Sequence, residues 1–437
     1  MGVFKGARLG RTFKMQTRFT SKMSLRGLVT AVAVSALGGA AFAQGTAPAA
    51  APPVSDIVRK QAERSKQDVN LRGHPVPPIA TPRDKLPMDK IKVPEGFKVE
   101  VFATGLAGAR MMLLSPKGTL FVSTRTLGRV YAVTDPFGKK EIKTIAQGLT
   151  LPNGLAMKDG ALFVTANKQV LRFDDIDATL DAPKSVDLSE KFNLPGDLSH
   201  GWRYTEFGPD GKLYIPVGAN CNICEINPGT HAHIRRYDAD GSNMEVVARG
   251  VRNTVGFDWH PVTKELWFTD NGRDWAGNEG PEDELNKLPN NKTGASFGFP
   301  YCHAKGIADP DVVRPDPCAG VILPQALMGP HAAALSIKWY TGDMFPAKYK
   351  NVAFIARHGS WNREKKSGYD VVMATEKNGK LKVEPFLTGL LDEKTNSFHG
   401  RPVHILQLKD GSLLVTDENN GAIYRITYDG KARTARL

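Results

Sequence analysis

The sequence predicts an all-β chain, a six-bladed β-propeller with an active site at one mouth of its central channel. Two observations carry that prediction. A Gly-turn followed by an alternating apolar strand recurs along the chain, and several copies lead through a short turn into a second strand. No stretch after residue 91 carries a long 3.6-residue apolar period, which disfavours a doubly wound α/β fold.

The copies are Lys117–Ser123, Asp159–Thr165, Asp210–Pro216, Thr263–Thr269 and Asp410–Thr416, with a variant at Tyr349–Ala356 filling the wide gap before the last. Second strands follow at Arg129–Val133, Gln169–Phe173, His233–Tyr237 and Ala422–Ile426. Six copies imply six blades. A single blade cannot hide both faces of its sheet; radial stacking does, provided that the chain ends meet. Phe97–Phe102 alternates in the way a closing strand should, and it is placed to pair with the last blade near Tyr428.

The first 43 residues hold seven basic and no acidic residues, and the apolar run Leu28–Leu37 leads to Ala41-Phe42-Ala43. This reads as a secretory signal cleaved after Ala43, with Met1 or Met23 as the start, and places the mature protein in the periplasm. The run is too short to span roughly 30 Å of hydrocarbon, so no stable membrane anchor is expected. Residues 44–90 read as an Ala/Pro-rich linker and N-terminal extension, with a short polar helix within 54–72 and a Pro-rich run over 73–88. The propeller domain is expected over 91–437, with compact structure beginning near Ile91.

Loss of the leader lowers the net charge from +13 to +6. So mild a balance leaves no footprint for nucleic acid and no polybasic membrane patch. Four cysteines remain, and in an exported chain they suggest disulfides, Cys221–Cys224 and Cys302–Cys318 by proximity. Zinc with His231 and His233 is the lesser alternative. Cys224 is followed by Glu225 rather than His, so the chain has no haem-attachment site there.

Loops between blades converge on the channel mouth, where polar residues become candidates for chemistry. His200 sits between small residues in a loop, where an imidazole can act as a base or can simply cap the surface. Arg252 and Asn253 lie between two glycines and offer a cation and amide donors, or a structural clamp between blades. Asp270–Asp274 and Pro281–Asn286 surround a Gly turn with oxygen-bearing side chains, which suits calcium or a solvated acidic loop. His358, Arg363 and Arg401 each lie close to a strand. With Arg252 they would make a cationic mouth fit for a polycarboxylate.

The ordered set His200-Gly201-Trp202-Arg203, Arg252-Asn253, Phe268–Asp274, Asp283–Asn286, Phe297–Pro300, His358–Arg363 and Gly400–Val403 resembles the soluble glucose/sorbosone dehydrogenases, and among them the sorbosone branch. These are pyrroloquinoline quinone (PQQ) enzymes on a six-bladed propeller, and the match covers roughly residues 91–430. The resemblance implies PQQ and calcium as cofactors and a sugar or sugar-derived aldehyde as substrate. It implies His200 as general base and Arg252 with Asn253 on the quinone oxygens, Arg252 stabilising developing negative charge. It further implies Asn271 and Arg401 at the cofactor, and the Gly272 and Arg273 carbonyls on calcium. The family's PQQ-binding lysine has no counterpart, and His358 and Arg363 are the candidates for its place. Ser199 stands where glucose-oxidising members carry Asp, Val403 replaces a second arginine, and Leu151-Pro152-Asn153 replaces a Gln-containing segment; these departures point away from glucose itself.

Without a haem motif, electrons must pass to an external acceptor, a cytochrome or a quinone. The competing readings are a non-catalytic carbohydrate- or protein-binding propeller and a calcium-dependent lactonase-like hydrolase. Neither of these needs PQQ.

Overall fold

The computed structural model describes residues 54–430 apart from 378–379; the expected leader and the linker 44–53 lie outside the described residues. Six sheets of four or five strands form a six-bladed propeller, joined by two small hairpins. The Gly-turn repeats supply the second strand of every blade: Leu120–Thr124, Ala161–Ala166, Leu213–Val217, Leu266–Asp270, Ala353–Arg357 and Leu413–Asp417. These strands are almost wholly buried, because a neighbouring blade covers each face. Burial falls away outward: Glu141–Ala146 is largely exposed and Ser185–Asp187 wholly so.

The inner strands crowd the axis. Gly256, which opens one of them, is packed so closely that a Cβ would lie 2.5 Å from the Leu335 carbonyl of the next inner strand. Only glycine allows that backbone approach.

The ring closes as expected. Phe97–Ala103 pairs antiparallel with Ala422–Tyr428, Phe97 lying opposite Tyr428, so the sixth sheet combines both ends of the propeller. Phe97 is 2% exposed and makes ring contacts with Phe345, Tyr349, Phe386 and Tyr428. Both cysteine pairs form the disulfides expected from proximity. Of the histidines weighed for zinc, His231 pairs with Asp197 and His233 accepts from Arg235.

Compact structure reaches back to Val54, beyond the expected start near Ile91. The expected short polar helix within 54–72 forms over Asp56–Ser65, with the Ser55 side chain accepting from the Val58 amide at its N-terminus. The Pro-rich run that follows has no periodic apolar face, yet single residues along it anchor to the propeller. Gln67 bonds the Asn362 carbonyl at 2.8 Å, the Thr81 amide bonds the Asn420 carbonyl at 2.9 Å, and Leu86 and Ile91 enter the core. No helix among the described residues is long and apolar enough to cross a membrane.

Candidate active site

Because neighbouring strands run antiparallel, inner strands begin and second strands end at the same face of the propeller. The residue just past each second strand is Arg125, Asn167, Gly218, Asn271, His358 or Glu418 in turn. A cavity of about 360 Å³ opens at this face, a size typical of small-molecule sites. Its lining includes His200, Asn253, Asn271, Gly272, His358 and Arg401 from the candidates named above.

His200 is held in a left-handed backbone conformation, φ +47°, which is strained for a non-glycine residue. Its Nδ1 donates to the Ala219 carbonyl at 2.7 Å, which leaves Nε2 as a proton acceptor. Burial, and then the positive charge of Arg252, lowers its pKa to about 3. The imidazole is therefore neutral at ordinary pH. Gly218 makes room for it: a Cβ there would come within 2.6 Å of the His200 Cβ. Where five blades place a polar side chain after the second strand, this one places glycine and the His200 loop takes the space. Gly218→Ala is expected to shift the imidazole and lower the rate about 100-fold, the cost of a displacement near 1 Å. Steady-state kinetics beside a thermal unfolding curve will separate that loss from misfolding.

Part of the cavity wall is cationic. Arg110, Arg125 and Arg401 line the cavity, and Trp202 packs beneath two of them, with the Arg125 guanidinium 4.5 Å from its ring centre. Glu418 is buried behind this wall, 3.1 Å from Arg110 and 4.0 Å from Arg125. Burial alone would raise its pKa; Arg110 and His358 outweigh that effect and hold the carboxyl well below the usual range. His358 Nε2 lies 2.9 Å from Glu418 Oε2 but outside hydrogen-bonding angles, and both atoms lack a partner. Burial and the nearby Arg401 lower the His358 pKa to about 3. The Arg125 Nε and Asn271 Oδ1 atoms are likewise buried without a partner.

The side chains of three expected site residues are engaged by the protein. The Arg252 guanidinium is absorbed by the Asn222 backbone and side chain, the Asn271 and Gly272 carbonyls, and Asp274. It braces Asn271, Gly272 and Asp274, which line the cavity, and is not itself in the lining. Arg273 is fully buried in ion pairs with Asp309 and Asp311. Arg363 bonds Asn278, Lys365 and Glu279, and does not line the cavity. No local pattern announces these partners, since each guanidinium is claimed by carbonyls or carboxylates distant in sequence. Conversely, Arg110, Arg125 and Glu418 were not anticipated. The signal for the last two was present: they occupy the same offset from the repeat as Asn271 and His358.

The acidic loop acts as internal bracing. Asp270 accepts from the backbone amides of Arg252 and Asn253, and Asp283 from those of Gly272 and Ala333. Burial raises both carboxyls to a pKa of about 6. The Gly272 carbonyl faces Arg252 Nη1 at 2.8 Å, and among the described residues no three His, Cys, Asp or Glu side chains cluster as metal ligands. Arg252 thus takes up one of the two acceptor positions of the Gly272 carbonyl, and a cation here would rest on backbone carbonyls rather than on a cluster of side-chain ligands. A polycarboxylate with a flat ring system does fit the cavity: three arginines, unpartnered buried polar atoms and two indoles, Trp202 and Trp361, converge there.

A family profile described as TrAA12-like matches residues 91–316 and 311–429. An uncharacterized protein from Borreliella burgdorferi is 32% identical over 355 residues, 78% of this chain and 91% of the relative. A pyrroloquinoline quinone-dependent pyranose dehydrogenase from Coprinopsis cinerea is 23% identical over 349 residues, 68% of this chain and 46% of that protein; the chain spans about half the relative's length. Among solved structures, a calcium structure of Trichoderma reesei Carbohydrate-Active Enzymes Family AA12 superposes with a TM-score of 0.67 at 19% identity, covering 80% of this chain and 100% of the other. Soluble aldose and glucose dehydrogenases share the fold as well.

Proposed function

The chain belongs to the TrAA12-like family, and from that premise we propose that it is an exported PQQ-dependent oxidoreductase of a sugar or sugar-derived aldehyde. One observation carries this reading. A single cavity sets a neutral histidine, with Nε2 free to accept a proton, among arginines suited to a polycarboxylate. Export is supported by two disulfides and no free cysteine among the described residues.

PQQ, when bound, supplies a two-electron acceptor for hydride. Arg110, Arg125 and Arg401 would hold its carboxylates, and Asn253 and Asn271 would offer it amide groups. Trp202 and Trp361, which also line the cavity, would help to exclude water. His200 Nε2 takes the proton of the substrate hydroxyl, or of a hydrated aldehyde, as the carbon–oxygen double bond forms. Ala219 fixes the tautomer that makes this possible. Electrons leave to an external cytochrome or quinone. The departures at Ser199 and Val403 favour an aldose other than glucose, or a sorbosone-like aldehyde.

Titrating the apo-protein with PQQ, watched by its absorbance, tests the reading. Saturable binding of one PQQ per chain is expected, with dye reduction by some member of an aldose and aldosone panel. Absence of PQQ binding would sink it and leave the binding-module and lactonase readings. Running the titration with calcium and with chelator tests the metal part of the family resemblance separately.

A further inference from the structure

The family match begins at residue 91, yet Gly73 and His74, well before it, line the cavity. They belong to a strap fastened at both ends. At one end Gln67 bonds Asn362, and the Asp68 amide bonds Glu364 at 2.9 Å. At the other, Thr81 bonds Asn420 through its backbone and, at 2.8 Å, through its side chain. Between these anchors Pro75, Pro77 and Pro78 remove backbone donors and stiffen the chain. The strap therefore runs past the mouth without joining a sheet.

His74 is the side chain it delivers. The imidazole lies against Phe398, ring centres 4.8 Å apart, and its Nε2 is 3.4 Å from the Tyr369 hydroxyl. Burial, then the charge of Arg401, lowers its pKa to about 4. The Tyr369 hydroxyl donates to the Ser360 carbonyl, so His74 Nε2 donates to Tyr369 and Nδ1 is left as an acceptor. An acceptor complements the proton of a sugar hydroxyl, whereas the neighbouring Arg401, 5.7 Å from the Tyr369 and Phe398 ring centres, only donates.

We infer that the strap is the substrate-side wall of the site and that His74 positions a hydroxyl of a single-ring sugar or aldehyde, so that the strap sets the length of saccharide admitted. The inference rests on the sugar-oxidoreductase reading and narrows its substrate to one ring.

Calorimetric titration with xylose and its two- and three-ring oligomers tests it on the PQQ-loaded mature chain and on three variants. These are a chain trimmed to begin at residue 82, His74→Ala and His74→Gln. Should trimming prevent folding, Gln67→Ala and Glu364→Ala combined with Thr81→Pro remove the anchoring bonds at both ends in the full chain. The intact chain should bind one ring at least tenfold more tightly than three rings, and the trimmed or released chain should lose that discrimination. His74→Ala should weaken one-ring binding about tenfold while three rings stay excluded, and His74→Gln should restore part of the loss, as expected for a contact and not for packing alone. Undiminished discrimination without the strap, equal binding of three rings by the intact chain, or an inert His74→Ala would each overturn it. If PQQ does not bind, the same titrations are run without it. Strap-dependent selection would then keep this inference while the PQQ reading fell, and no sugar binding by any form would end it.

Discussion

His200→Ala is expected to lower kcat by about 100- to 10,000-fold, the usual contribution of a positioned base, while PQQ affinity stays nearly unchanged. The two outcomes separate because the carboxylates of PQQ are assigned to Arg110, Arg125 and Arg401 and not to the imidazole. The base assignment depends on the tautomer fixed by Ala219 and on the low pKa set by burial and Arg252. The sign is therefore definite: in the apo-protein, with the pKa depressed to about 3, lowering the pH from 8 to 5 should not protonate His200. An NMR titration of the ring resonance checks this directly. A resonance that titrates near pH 6.5, or full activity in the alanine variant, would remove His200 from the mechanism.

The second large effect concerns closure. Phe97→Ala should destabilise the protein by about 3–5 kcal/mol, the range for emptying a buried aromatic site. Four rings surround Phe97, and they come from the closing blade and its neighbour. Denaturant unfolding followed by far-UV circular dichroism measures it. Removing the whole strand by deleting 91–104 should abolish the cooperative transition; a sharp transition retained in that deletion would show that the ring does not depend on the pairing of Phe97 with Tyr428.

How far the sequence reaches is clear from particular residues. The blades were legible because each second strand is buried on both faces and so reads as an apolar run, behind a Gly turn in four blades; Leu266–Asp270 and the variant Ala353–Arg357, whose turns lack glycine, also fell into place. His200, Asn253, Asn271, Gly272, His358 and Arg401 were legible because loops after and before strands can only meet at the mouth. The engagement of the Arg252 and Arg363 side chains was not legible, for a physical reason. A long cationic side chain goes to the best set of oxygens within reach, and here those belong to Asn222 and to Asn278 with Glu279. The strap escaped notice because isolated contacts such as Gln67 with Asn362 leave no period in the sequence.

The pairing of residues 97–103 with 422–428 also bears on how the protein is made. The earliest strand of the ring has no hydrogen-bonding neighbour on its paired side until almost the last residues are synthesised. A chain cut short anywhere before residue 422 carries that strand as a bare sheet edge, the kind of surface that recruits other chains. Completeness is thus checked by the topology itself: only a finished polypeptide can bury its own beginning, and unfinished ones are left exposed to aggregation and proteolysis.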